Sequence, residues 1–133
     1  MRLARKGLLE GIRAVFRRAQ QRFSHPELPI VVIYVGIGLG AGWATTYRGS
    51  PAILFGLENI AEEGWTDTPT LRGLIAHELS HLLHGYWRQE AGRRFRSGPL
   101  RQLYVEGFAD RCERLLNSEG TAHVSQGSDD WED

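Results

Sequence analysis

Leu74-Ile75-Ala76-His77-Glu78-Leu79-Ser80-His81-Leu82-Leu83 is the most informative stretch of this sequence, because it contains the pattern His-Glu-x-x-His. Residues four apart share one face of a helix, so His77 and His81 would point at the same place. Two neutral imidazoles in that arrangement can bind one Zn²⁺, and Glu78 lies beside the metal as a general base. Because the flanks are apolar and no glycine or proline interrupts them, we prefer this interpretation to an amphipathic helix with two unrelated histidines.

The residues around the motif predict where its helix begins and ends. Thr68 is a capping residue type and Pro69 suits the first helical position, so the helix should begin there. A glycine commonly follows the last turn of a helix, so it should end near Gly85. Apolar residues at helical spacing predict two further helices, over 7–23 and roughly 99–117.

Strand patterns occupy the stretch between the first helix and the motif helix. Residues 30–36 are a β-branched run that predicts a buried strand. A hairpin is predicted where two strand-like runs, 43–47 and 52–57, flank the turn residues 48–51. The polar residues 58–68 that follow are expected to form a connection. The chain is therefore expected to form an α+β domain.

Composition narrows the classes of protein to which the chain could belong. Its 133 residues suit one domain, and its formal net charge of zero argues against a nucleic-acid binder. Cys112 is the only cysteine, which excludes an intramolecular disulfide and predicts a buried helix residue. The N-terminus lacks a secretory pattern, so a cytoplasmic protein is expected.

Two stretches raise the question of a membrane. Residues 28–47 carry no charge, but Pro29 and four alternating glycines fit a strand and a loop better than a helix in lipid. The helix over 7–23 is basic and amphipathic, and such a helix can lie on a membrane. We expect it instead to pack on the domain's own sheet, because a small domain needs that apolar face for its core.

A catalytic zinc site needs a third protein ligand, and two local choices fail. His84 would lie about 10 Å along the helix axis from His77 at about 1.5 Å per residue, too far for one tetrahedral ion. The extended pattern His-Glu-x-x-His-x-x-Gly-x-x-His fails because His84 replaces its glycine and Trp87 its last histidine.

Glu106 is the remaining candidate, because a carboxylate inside an apolar helical stretch needs a partner such as a metal ion. Gly107 would remove side-chain bulk beside it and let two helices approach. Asp110, one turn later, could accept the free ring N–H of a ligating histidine. The alternative is a surface face on which both carboxylates pair with Arg111 or Arg114. With one ligand missing upstream, we prefer the ligand assignment.

The pair His77-Glu78-Leu79-Ser80-His81 and Glu106-Gly107-Phe108-Ala109-Asp110 resembles the gluzincin metallopeptidases, most closely the small minigluzincins, over roughly residues 8–117. The resemblance implies a zincin-like domain in which a short mixed sheet of three to four strands packs on a backing helix, an active-site helix and a glutamate helix. It also implies one Zn²⁺ per chain and a peptide or protein substrate. The substrate would lie along an exposed edge strand, which we assign to Ala52, Ile53, Leu54, Phe55 and Gly56.

Part of this expected mechanism is left open by the sequence. A group must stabilise the oxyanion of the reaction, and four side chains are candidates: Tyr104, Tyr86, His84 and His123. We expect the domain to span residues 1–117, and residues 118–133 to form an acidic tail that either stays solvated or lies in the cleft and keeps the enzyme latent. A different class of function, a zinc-binding scaffold or partner-binding module that cleaves nothing, stays open, and so does the oligomeric state.

Overall fold

A computed structural model describes residues 2–23, 28–36, 40–93 and 97–117. His123 and the acidic tail lie outside the described residues, so the predictions made for them stay predictions. Four helices and one three-stranded sheet confirm the α+β class. In chain order, the elements are α1 (Arg2–Arg22), β1 (Ile30–Tyr34), β2 (Gly42–Tyr47), β3 (Ser50–Gly56), α2 (Leu57–Glu62), α3 (Thr68–Glu90) and α4 (Arg101–Leu116).

The sheet is mixed, and its strand order is β1-β3-β2. The hairpin predicted between β2 and β3 is present, and the two strands are antiparallel. Its two turn residues are Arg48, with φ of 50°, and Gly49, with φ of 81°. Positive φ at both positions matches the twist of the flanking strands. β1 is parallel to β3. β2, which follows β1 in the chain, therefore lies on the far side of β3 from β1.

The assignment of residues 52–56 as an edge strand is wrong, because they lie in β3, the central strand. Ala52, Ile53 and Phe55 are fully buried there. A strand that is paired on both sides and buried on its faces favours such apolar residues, whereas an edge tolerates polar ones. The edge strand that contacts the motif helix α3 is β2. Its last three residues, Thr45, Thr46 and Tyr47, are exposed.

Helix α1 packs mainly on α3, rather than on the sheet as predicted. Its buried face consists of Ala4, Leu8, Gly11, Val15, Phe16 and Ala19. At Gly11, an added Cβ would lie 2.7 Å from Ile75 Cδ1, so the glycine permits close approach of the two helices. No helix among the described residues has the length and hydrophobicity needed to cross a membrane.

Helix α3 begins one residue earlier and ends five residues later than predicted. Its cap is Asp67, whose carboxylate accepts the Thr70 N–H at 3.0 Å. That hydrogen bond lowers the pKa of Asp67. At the other end, Trp87 packs against Phe23 with ring centroids 5.1 Å apart. This tertiary contact extends the helix past Gly85, although a glycine within a helix costs about 0.5–1 kcal/mol.

Two glycines should respond oppositely to substitution by alanine. At Gly56, an added Cβ would lie 2.5 Å from the backbone oxygen of Gly40, whereas at Gly107 nothing lies within 4 Å. We expect Gly56→Ala to lower the free energy of unfolding by about 1–3 kcal/mol through overpacking. Gly107→Ala should raise it by about 0.5–1 kcal/mol, because alanine favours a helix. Urea denaturation of both variants measures the difference, and equal effects would contradict it.

Gly107 therefore does not have the role predicted for it. It is exposed on α4, so the approach of α3 and α4 does not depend on it. The side of α4 that faces α3 carries Ala109 and Cys112, both buried. The prediction that Cys112 is a buried helix residue is confirmed.

Candidate metal centre

The antiparallel packing of α3 and α4 brings His77, His81 and Glu106 together. His77 Nε2 lies 3.1 Å from Glu106 Oε2 and 3.2 Å from His81 Nε2. His81 Nε2 lies 3.5 Å from Glu106 Oε2. Two imidazole nitrogens and one carboxylate oxygen thus converge on one point, and this group could hold a metal ion.

A second set of contacts lies behind His77, on its other ring nitrogen. His77 Nδ1 is 3.2 Å from Asp110 Oδ1 and 3.3 Å from Glu113 Oε2. Asp110 therefore lies where a ligating histidine needs an acceptor for its free N–H. Glu113 was missed by the sequence analysis, although it follows Glu106 by seven residues and so shares its helix face. Its side chain is completely buried, while that of Asp110 is 40% exposed.

The sequence analysis also missed Gln102, which contacts the other carboxylate oxygen of Glu106. Its Nε2 donates to Glu106 Oε1 at 2.7 Å. The two residues are four apart on α4, a spacing at which side chains on a helix meet. The hydrogen bond leaves Glu106 Oε2 directed at the histidines, so Gln102 orients the carboxylate.

The three residues open onto a cleft of about 710 Å³ between β2, α3 and α4. One wall is strand β2 from Gly42 to Thr46, and the opposite wall is the first part of α4. Glu78 lies on the floor and accepts the backbone N–H of Ala44 from the β2 wall. An added Cβ at Gly42 would lie 3.3 Å from Glu78 Cγ, so the glycine permits this approach of strand and helix.

The four oxyanion candidates are placed very differently. His84 lines the cleft and is 3% exposed, with its ring stacked on Phe108 at 3.8 Å between centroids. Tyr104 is 54% exposed, and neither it nor Tyr86 is among the described residues that line the cleft. Of the candidates that the structure describes, His84 is the one brought to the cleft.

The carboxylates around His77 and His81 favour positive charge on these side chains. Burial lowers the pKa of His77, but contact with Glu113 and the negative charges of Glu78, Glu113 and Glu106 outweigh burial and raise it to about 9. For His81, burial and the positive charge of His77 lower the pKa, despite Glu106. Below about pH 9, His77 therefore carries a proton whose positive charge offsets the negative charge of the carboxylates around it.

The Glu78 side chain is a weaker acid than an ordinary carboxyl group. Burial raises its pKa to about 7, and the negative charge of Glu106 acts in the same direction. The charge of His77 and the Ala44 N–H oppose this shift. A divalent ion beside Glu78 would add positive charge and lower its pKa again, because bound cations dominate the local electrostatics.

We predict that zinc binding at about pH 8 releases close to one proton per chain from His77, because a ligating imidazole must be neutral. Any proton that zinc-bound water loses adds to this number. His77 has a pKa of about 9 and Glu78 one of about 7, so at this pH His77 is mostly protonated and Glu78 mostly ionised. Calorimetric titration in buffers of different ionisation enthalpy counts the protons. The number should fall by close to one as the pH rises above about 9, because His77 is then neutral before the metal binds.

Glu78→Gln should release fewer protons at this pH, because the negative charge of Glu78 is one of the causes that raise the pKa of His77. Zinc binding without proton release would show that His77 is neutral before the metal arrives.

Comparison of the chain with known protein families, curated proteins and solved structures finds no match. What can be said of its function therefore depends on the geometry of the site: two histidines and a glutamate that could hold a metal ion, with a second glutamate beside them in an open cleft.

Proposed function

We propose that the protein is a zinc metallopeptidase in which His77, His81 and Glu106 hold the metal and Glu78 is the general base. The observation that carries the proposal is the convergence of those three ligand atoms beside Glu78, on the floor of a cleft with a strand edge in its wall. A mononuclear peptidase site needs these same parts: three ligands, a base and an extended place for the substrate.

The separations between the ligand atoms favour zinc as the metal. A tetrahedral ion with bonds of about 2.0–2.1 Å requires ligands about 3.3–3.4 Å apart. An octahedral ion with bonds of about 2.1 Å requires about 3.0 Å between adjacent ligands. Two of the observed separations, 3.2 and 3.5 Å, are nearer to the tetrahedral value, and the third, 3.1 Å, is nearer to the octahedral one. Three protein ligands would leave the fourth position of a catalytic zinc for water.

When bound, zinc would supply Lewis acidity, which polarises a carbonyl and makes water a stronger acid. The chain's own residues would supply the rest. Glu78 accepts the proton of the attacking water and passes it to the leaving nitrogen. Its Ala44 contact and burial hold the carboxylate in place. The carboxylates of Asp110 and Glu113, 3.2 and 3.3 Å from His77 Nδ1, would keep the ring oriented by attracting its N–H.

Strand β2 supports a peptide as the substrate. It pairs only with β3, so its other edge is unpaired among the described strands. Because the Ala44 N–H reaches Glu78, Ala44 and its alternate neighbours Gly42 and Thr46 present their backbone groups away from β3. An extended peptide can add to such an edge through backbone hydrogen bonds. In the proposal, β2 therefore takes the substrate role first assigned to residues 52–56.

The test uses the full chain, loaded with zinc and presented with a peptide library whose products are identified by mass spectrometry. The proposal expects cleavage that stops on chelation and returns when zinc is restored. If one zinc binds per chain and no peptide is cleaved, the function would be that of a zinc-binding scaffold or partner-binding module instead.

A further inference from the structure

The outer face of α1 carries basic side chains that form no ion pair with any other described residue. The helix contains seven basic residues and one acidic residue, Glu10. Six of the basic side chains are exposed, and no ion pair between described residues engages them: Arg2, Arg5, Lys6, Arg13, Arg17 and Arg22. The seventh, Arg18, is half-buried and donates from Nε to the Leu115 carbonyl at 3.2 Å.

Two leucines lie among these charges. Leu3 is 73% exposed and Leu9 is 40% exposed. The apolar face that would make α1 a free amphipathic helix is already buried against α3, so it is not available to a partner. A partner must therefore be recognised by the basic side chains and the two leucines alone.

We propose that the outer face of α1 docks the protein on an anionic lipid surface. Basic side chains are attracted to the negative headgroups, and an exposed leucine can enter the boundary between headgroups and acyl chains. A single-stranded nucleic acid is disfavoured because α1 exposes no aromatic ring on which a base could stack: Phe16 is buried. No residue of α1 lines the cleft, so a docked molecule would keep its metal centre open to solvent.

Cosedimentation of the full chain with lipid vesicles tests the proposal. We expect binding to vesicles of phosphatidylcholine mixed with phosphatidylserine, and none to phosphatidylcholine alone. Binding should fall at least about tenfold between about 0.1 M and 1 M NaCl, because the Debye length shortens from about 10 Å to 3 Å. Equal binding to both vesicles, or to neither, would overturn the proposal.

A matched pair of triple variants separates this face from the net charge of the protein. Reversal of Arg5, Lys6 and Arg13 to glutamate should reduce vesicle binding at least about tenfold, since each exposed basic residue near the surface contributes to adsorption. The control reverses three exposed arginines outside α1, namely Arg48, Arg93 and Arg114. Equal losses in both variants would show a non-specific effect of charge. Thermal unfolding verifies that both variants are folded.

Two further measurements distinguish the competing occupants of this face. Leu3→Ser with Leu9→Ser should weaken vesicle binding and leave any binding to an RNA oligonucleotide unchanged. RNA binding that depends on Arg5, Lys6 and Arg13, without vesicle binding, would overturn the proposal in favour of a nucleic acid. Vesicle binding that appears only after deletion of residues 118–133 would also overturn it, since the acidic tail would then be the partner of α1 in the full chain.

Discussion

Glu78→Gln should reduce peptide hydrolysis by about 10²–10⁴-fold, which is what a positioned general base contributes to a reaction. Glutamine has the shape of glutamate and cannot accept the proton of water. Its side-chain oxygen can still accept the Ala44 N–H that holds Glu78, so the floor of the cleft should keep its structure. The measurement is kcat/KM on a peptide that the wild-type chain cleaves, together with the zinc content of the variant.

The control for this change is Glu90→Gln, which makes the same substitution at an exposed position near the end of α3. It should leave hydrolysis unchanged. Full activity of Glu78→Gln with zinc bound would disprove the proposed base. Loss of zinc together with activity would show instead that Glu78 acts through the metal centre's structure, and the assignment of its role would fail.

Glu106→Ala should weaken zinc binding at least about 100-fold, because even changes in the residues behind metal ligands cost about 10–100-fold. The change removes one of three converging ligand atoms and leaves two histidines. It should not unfold the metal-free chain, because the Glu106 side chain is 37% exposed. Competition with a chromophoric chelator measures the affinity, and circular dichroism verifies the fold.

Variants behind His77 show whether the metal lies where we propose. His77, Asp110 and Glu113 form a second group that could hold a metal ion, on the other nitrogen of the same ring. Asp110→Asn and Glu113→Gln should each weaken zinc binding less than Glu106→Ala does. The reverse order would move the metal to the second group and would disprove the proposed ligand set.

Helix α4 illustrates how far the sequence predicts the site and where it stops. Glu106 was found because one ligand was missing and a carboxylate interrupted an apolar helical pattern. Glu113 was not found, because Asp110, Arg111 and Arg114 surround it and it therefore interrupts no apolar pattern. Its burial follows from the packing of α4 on α3, which places it against His77. Gly107 was misjudged for the same reason, since sequence spacing does not tell which side of α4 faces α3.

The sequence by itself determined the features that depend on neighbours along the chain: the helical placement of His77 and His81, the β2–β3 hairpin and the class of the fold. Such features follow from local periodicity and turn chemistry. Only the tertiary structure decided which strand is the edge. β1 pairs directly with β3, so residues 52–56 lie in the central strand of the sheet. It also brought Glu106 to the two histidines, since the packing of α3 on α4 joins groups 29 residues apart. The His-Glu-x-x-His stretch thus provides two of the three converging ligand atoms, and the fold supplies the third.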